Sequence, residues 1–357
     1  VIIGILAVFS ASSIQAMQKP YNDPSYFLKR QAFAAVLGLG AMAVVSRIDY
    51  WILRRYAGMA IPVCGMLLVA VLFTEQVKGA QSWFKIGSFS FQPSELVKLA
   101  VVLLMAKFLS LKEDREAALK EGLIPALAVL GGAGLLIVLQ GDLGSTMVLM
   151  ASGFVVLFLA GVRYLYLGGL AISGISAATV LILQEDYRRD RFLAFMDPSI
   201  DPQGVGWQIT NSLYAIGSGG LTGLGLGQSK QKFGWIPEQH NDFIFSIIAE
   251  ELGFIGSVFI ITLLAILIFR GYRIALKAPD TFSSLLAAGI TSIIMVEALV
   301  NIGVVTGTMP VTGITLPFIS YGGSSLIFKL VGMGVLLNIS RYTRIAAPGN
   351  AMKETGI

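Results

Sequence analysis

Ten runs of mainly apolar residues, at about 1–17, 31–48, 56–74, 94–111, 121–139, 143–161, 164–184, 243–269, 282–306 and 319–340, take up most of the chain. A helix crossing a bilayer needs ~20 largely apolar residues. Inside the bilayer only helices and closed barrels satisfy their own backbone polar groups. The runs therefore predict an all-α polytopic membrane protein of about ten transmembrane helices. Charge content agrees with this: charged residues are 13% of 357 positions and the mean hydropathy is +0.77, whereas soluble domains carry roughly a quarter charged residues. The whole chain, 1–357, reads as a single integral membrane domain in which 185–242 is the one large loop. The fifth and sixth runs are separated only by Gln140-Gly141-Asp142, which suits either one broken helix or a helical hairpin; their summed length favours two spans. Val1 lies inside an apolar stretch with no basic leader or small-residue cleavage site, so this stretch reads as a trimmed first span and not a signal peptide.

Basic residues set the orientation. Arg47, Arg54, Arg55, Lys112, Arg115, Lys120, Arg163, Arg270, Arg273 and Lys277 fall in one set of connections, and Arg341, Arg344 and Lys353 follow the last run on the same side. The opposite short connections hold Lys19, Lys29, Arg30, Lys78 and Lys85, and 307–318 has no basic residue. Positive charge in short loops marks the cytoplasm. Both termini are thus expected to be cytoplasmic in a bacterial cell membrane, with 185–242 on the extracytoplasmic side. The net charge of +5 reads as topology signals and contacts to membrane lipid phosphates, with no nucleic-acid partner. A single cysteine, Cys64, and a single histidine, His240, exclude a disulfide framework and a histidine-rich metal site within the chain.

Polar residues gather in four places at the outward ends of the runs. The first contains Lys85 and then Gln92-Pro93-Ser94-Glu95, with Lys98 three residues after Glu95 and so on the same helix face. Ionisable residues at such a position face protein or a cavity, as a structural ion pair or as part of a site. The second is the 140–145 junction, where Asp142 suits a helix cap or a ligand role. The third is 185–242. It carries Arg188, Arg189 and Arg191, whose guanidiniums suit phosphate or the headgroup layer. Gln208 follows, then the glycine-rich stretch 209–226, which is compatible with a short or re-entrant helix. His240 and Asp242 end it, and Asp242 directly precedes an apolar run, so a helix cap and a catalytic carboxylate are both open readings. Loops this long are usually functional. The fourth includes Leu316-Pro317 and Ser320-Tyr321-Gly322-Gly323-Ser324-Ser325. Within the eighth run, Glu250 and Glu251 must face protein or water, and Lys329 lies inside the last run.

Taken in order, 78–87 with 92–98, 140–144, 225–228, 237–253 and 316–325 resemble the SEDS family (shape, elongation, division and sporulation), whose members include FtsW, RodA and SpoVE. Gly225-Leu226-Gly227-Gln228 and Lys230-Gln231-Lys232 before Trp235-Ile236-Pro237 are closer to the FtsW and SpoVE pattern than to RodA. The resemblance implies a peptidoglycan glycosyltransferase that polymerises lipid II with a class B penicillin-binding protein as partner, in cell division or sporulation. It assigns the family's essential aspartate, in a Pro-Glu-x-x-x-Asp-Phe-Ile-Phe motif, to Asp242, and its paired Glu and Lys to Glu95 and Lys98. Ser82 departs from the arginine that relatives often carry before the tryptophan; Lys85 can supply that charge.

Lipid II leaves a pyrophosphate, already a stabilised anion. One general base therefore suffices, where glycoside hydrolysis uses two carboxylates. Asp242 would take the proton of the acceptor hydroxyl, and single displacement would invert an α-linked donor into a β-1,4 strand, releasing undecaprenyl pyrophosphate. Arg188, Arg191 and a divalent cation, Mg or Mn, would neutralise the leaving group, with Asp242 also open to a metal role. Substrate-binding candidates are Glu95, Lys98, Lys85, Asp142, Arg188, Arg191, Gln208, His240 and Ser324, and the site is expected between Asp242 and the outer end of the Glu95–Lys98 helix. Two other readings remain: a lipid II flippase whose headgroup path is lined by Glu95, Lys98 and Glu250, and a scaffold that only recruits the partner synthase.

Overall fold

Every apolar run forms helix in a computed structural model of the chain, which describes residues 1–19, 21–76, 79–86, 89–110, 118–201 and 204–345. Lys78, Gly87, Lys112, Arg115, Pro202 and Lys353 lie outside these residues, as do the side chains of Lys120 and Arg344. The runs become α1 (Ile2–Met17), α2 (Tyr26–Val45), α3 (Tyr50–Tyr56) continued through a 3-10 turn into α4 (Ala60–Val71), and α5 (Pro93–Leu109). Next come α6 (Ile124–Leu139), α7 (Leu143–Leu159) and α8 (Tyr164–Gln184). In the 185–242 segment lie α9 (Asp186–Met196) and α10 (Val205–Ser218), and the last three runs are α11 (Ile244–Leu276), α12 (Thr281–Val305) and α13 (Gly323–Ile345). A short hairpin, β1 (Phe84–Ile86) and β2 (Phe89–Phe91), pairs Phe84 with Phe91 and Lys85 with Ser90.

Among the described residues, 7 helices are long and apolar enough to cross a membrane, and α1 and α7 are shorter apolar helices. The tenth, α5, contains Glu95, Lys98 and Lys107, and the partners of Glu95 and Lys98 are described below. The chain is an all-α, multi-pass membrane protein. The fifth and sixth runs are two helices: α6 ends at Leu139, Gly141 turns the chain at φ 81°, and α7 starts at Leu143.

Two compact units make up the chain, one of Val1–Ala35, Tyr164–Ala265 and Glu297–Gly322, the other of Val36–Arg163, Ile266–Val296 and Gly323–Ile357. In the first unit the segment 185–242 is more ordered than its sequence suggests. It holds two helices, and the second covers 205–218 in place of 209–226, since the glycines that follow are used for contact with α11. A β-carbon on Gly219 would lie 2.0 Å from the Ala249 carbonyl oxygen, and one on Gly223 would lie 2.2 Å from that of Glu251.

α11 is itself interrupted. Gly253 has φ 68° and ψ −165°, which breaks the helical ladder and frees backbone groups that must find other partners. They find them in this glycine loop: Leu224 N donates to Glu250 O and Gly225 N to Glu251 O, while Phe254 N donates to Gly220 O and Ile255 N to Leu221 O, all within 3.1 Å. Irregular backbone in a membrane span is tolerated where protein buries it. A β-carbon on Gly253 would sit 2.3 Å from Gly223 N. Gly253→Ala should therefore destabilise the protein by about 2 kcal/mol or more through left-handed strain and this clash. Its unfolding midpoint in detergent should drop, and an unchanged midpoint would show that the break is not required.

Candidate functional site

In the first unit, Asp242 ends the 185–242 segment just before α11. The helix starts at Ile244, which puts Phe243 at the cap position and Asp242 one residue outside it. The half-buried Asp242 side chain faces the connection between α12 and α13: a β-carbon on Gly313, itself at φ 75°, would lie 3.6 Å from Asp242 Oδ2. Asn301, buried on α12, fixes the backbone on both sides of this contact. Its Nδ2 donates to Asp242 O at 2.8 Å and to Ile314 O at 2.7 Å. Arg191 reaches the same connection from α9, donating from Nη1 to Val311 O at 3.2 Å, and its guanidinium also stacks 4.4 Å over the Tyr187 ring. Residues 311–314 thus bring Arg191 and Asp242 to one short stretch of backbone.

Arg191 Nε, Asn241 Oδ1, Asn301 Oδ1 and Thr312 Oγ1 have no hydrogen-bond partner among the described residues. Buried polar groups are normally paired with protein or water, so each of these atoms can take a further hydrogen bond. Among the described residues no three His, Cys, Asp or Glu side chains group as a metal site. The side chains on these segments offer hard oxygens: the Asp242 carboxylate, two amide oxygens and a hydroxyl. That set suits Mg²⁺ or Mn²⁺ held partly by substrate phosphates, since such ions seldom take an all-protein cage.

The other predicted residues of this unit have distinct places. His240 is buried, with its ring 4.3 Å from Phe27 and 5.5 Å from Tyr321, and its carbonyl accepts from Tyr321 N at 2.9 Å. Arg188 donates back to Leu181 O at 3.2 Å. Gln208 is half-buried in the first turns of α10. Nearby, hydrogen bonds from the hydroxyl and amide of Ser199 hold the Asp197 carboxyl below its usual range. Glu250 is committed to the loop before Trp235, accepting from Ser229 Oγ, Lys230 N and Gln231 N, and Glu251 accepts from Ser10 Oγ at 2.7 Å and pairs with Lys232 at 3.2 Å. These carboxylates anchor the 224–232 loop.

In the second unit a different cluster forms at the start of α5. Lys98 Nζ lies 3.0 Å from Glu95 Oε1 and Lys329 Nζ lies 3.6 Å from Glu95 Oε2, with Lys98 1%, Lys329 6% and Glu95 8% exposed. Lys329 also donates to Ser325 Oγ one turn earlier on α13. One carboxylate thus bridges two buried lysines. The adjoining cavity, lined by Ile290, Ile294, Phe328 and Gly332 among others, measures only ≈ 10 Å³, too little for more than about one water. Gln92, just before α5, ties in two more predicted residues: its N donates to Ser324 Oγ at 3.4 Å and its Nε2 to Asp142 Oδ2 at 3.0 Å. Asp142 also caps α7, accepting from Ser145 N at 2.9 Å. Asp142 and Ser324 therefore meet at Gln92, whose carbonyl also accepts from Glu95 N at 3.3 Å, whereas Lys85 is exposed on β1.

Sequence reasoning passed over Asn301, Thr312 and Glu297, which is 1% exposed one turn before Asn301. An amide and a carboxylate four apart inside an apolar run were the available signal.

The family described as "Cell cycle protein", comprising FtsW, RodA and SpoVE, matches residues 1–345. Stage V sporulation protein E of Bacillus subtilis (strain 168) is 47% identical over 345 residues, which is 96% of this chain and 94% of that protein. A probable peptidoglycan glycosyltransferase FtsW of Trichlorobacter lovleyi is 44% identical, over 96% of this chain and 91% of its own length. Among solved structures, a chain from a study titled "Structural coordination of polymerization and crosslinking by a peptidoglycan synthase complex" aligns with TM-score 0.75 and 33% identity, covering 94% of this chain and 96% of its own. The rod shape determining protein RodA of Thermus thermophilus aligns with TM-score 0.68 and 31% identity over 94% of each chain. The chain belongs to the FtsW, RodA and SpoVE family of cell cycle proteins.

Proposed function

We propose that this chain is a peptidoglycan glycosyltransferase that polymerises lipid II into β-1,4 glycan strands on the extracytoplasmic face, with both termini in the cytoplasm. Its relatives carry the glycosyltransferase name, and the observation that carries the mechanism is Asp242, turned toward Gly313 on the same 311–314 backbone that Asn301 and Arg191 hold. Asp242 acts as general base on the acceptor hydroxyl as that oxygen attacks the anomeric carbon of the donor. The carbon–oxygen bond to the pyrophosphate breaks and both bonding electrons leave with the lipid pyrophosphate. Arg191 binds the developing negative charge. A divalent cation, when bound at the oxygen donors around Asp242, supplies further charge neutralisation. A class B penicillin-binding protein is the partner that crosslinks the product.

Asn301 is a positioning residue in this scheme. Asn301→Leu leaves the Asp242 and Ile314 carbonyls without their donor, at about 1–3 kcal/mol each. It should lower kcat by roughly tenfold with little change in KM, because a base displaced by a fraction of an ångström loses reach. Loss confined to KM would place Asn301 in substrate binding instead.

Proteoliposomes with the partner present and lipid II in the outer leaflet separate this function from transport. Growth of glycan chains supports polymerisation; headgroup movement without chain growth overturns it. Glu95 and Lys98 pair with each other, and Glu250 is held by Ser229, Lys230 and Gln231 in its own loop, so these side chains are committed to contacts within the protein.

A further inference from the structure

We propose that the cleft between the end of α2 and the last turns of α13 binds the phosphate of an anionic phospholipid. This open cleft of ≈ 690 Å³ is lined by Ser46, Arg47, Leu337, Ser340 and Arg341. Among the described residues neither arginine pairs with a carboxylate. Among the same residues the Arg47 guanidinium makes no hydrogen bond or ion pair, and that of Arg341 makes one long bond, from Nη1 to Ser46 O at 3.4 Å. The acidic residues nearby are otherwise engaged: Asp49 accepts from Tyr342 Oη, and Asp280 accepts from Tyr50 Oη at 2.7 Å and Ser283 Oγ at 2.9 Å. Two unneutralised guanidiniums facing one cleft present paired donors of the geometry that suits phosphate oxygens.

The cleft is also held in shape. Asn338 Nδ2 donates to Ser46 O at 3.0 Å and Asn338 Oδ1 accepts from Tyr50 N at 3.1 Å, which fastens residues 46–50 to α13. Beside the arginines the surface turns apolar, with Val44 60% and Leu337 43% exposed. A headgroup phosphate on the guanidiniums and an acyl chain along Val44 and Leu337 match this sequence of surfaces. Basic pockets between spanning helices on the cytoplasmic side are suited to anionic headgroups, and the basic connections put this end of the chain there.

Native mass spectrometry of the delipidated full-length chain in detergent tests the site, with phosphatidylglycerol, phosphatidylcholine and inorganic phosphate as separate probes. The expected result is a retained phosphatidylglycerol adduct, no matching phosphatidylcholine adduct, and about tenfold weaker retention in R47Q/R341Q with an unchanged unfolding midpoint. R47K/R341K, which keeps the charge and loses the planar fork, should fall between the two. Phosphate binding without lipid retention, abolished in R47Q/R341Q, would keep the phosphate site and overturn its lipid source. Equal retention of phosphatidylglycerol by wild type and R47Q/R341Q, or equal binding of both lipids, would overturn the proposal.

Discussion

Asp242→Asn yields a protein that folds and binds lipid II but joins it ~10²–10⁴ times more slowly, the usual contribution of a general base. The substitution separates the two roles that the position suggests. The helix begins at Ile244 with Phe243 at its cap, so Asp242 is not the cap, and asparagine keeps the side chain's size and its accepting oxygen. Only the proton acceptor is lost. Asp242→Glu keeps the acceptor but moves it by about one methylene, and a shift on the order of 1 Å can cost ~10²-fold; it should recover part of the rate. Steady-state polymerisation with matched unfolding midpoints checks both variants. Near-full activity of Asp242→Asn would remove the residue from the chemistry.

The second large effect is on stability. Glu95→Gln leaves Lys98 and Lys329 buried around a neutral amide, in a space of ≈ 10 Å³ that admits almost no water. Breaking a buried ion pair by removing one partner typically costs ~3–5 kcal/mol, since a buried charge loses its counter-charge. The expected outcome is a large fall in unfolding midpoint or loss of folded protein. Adding Lys329→Met to Glu95→Gln should recover part of the loss, because one of the two buried lysine charges is removed with it. Lys329→Met alone should be mild, since Lys98 keeps its 3.0 Å partner. If the double variant is no better than Glu95→Gln, the two lysines do not share the carboxylate as a unit.

Much of this was readable in the residues, and what was not has physical causes. The ten spans follow from apolar runs, because the bilayer leaves no other way to hide both side chains and backbone. The Asp142 cap follows from an aspartate directly after a glycine turn. Asp142's second bond, from Gln92, does not, since it joins residues far apart in sequence. Lys329 had no evident purpose in the sequence and gains one only when α13 packs its side chain on Glu95. The break at Gly253 was hidden in one apolar run: a glycine there signals a kink only once the loop that bonds to the freed backbone is known. The order within 185–242 was missed for a related reason. Its helices are short and their stabilising contacts are tertiary, so local propensity carries little of the signal. For Asp242, sequence left cap and catalyst both open, and the structure adds Gly313, Asn301 and Arg191 around it.

The most direct test of polymerisation removes the bilayer altogether. Purified chain and partner in detergent, given lipid II, should release one undecaprenyl pyrophosphate for each new sugar linkage, and each linkage should be β where the donor was α. A transporter has nothing to cross in a micelle. Intact lipid II recovered from the active complex, or α-linked product, would contradict a single displacement driven by Asp242.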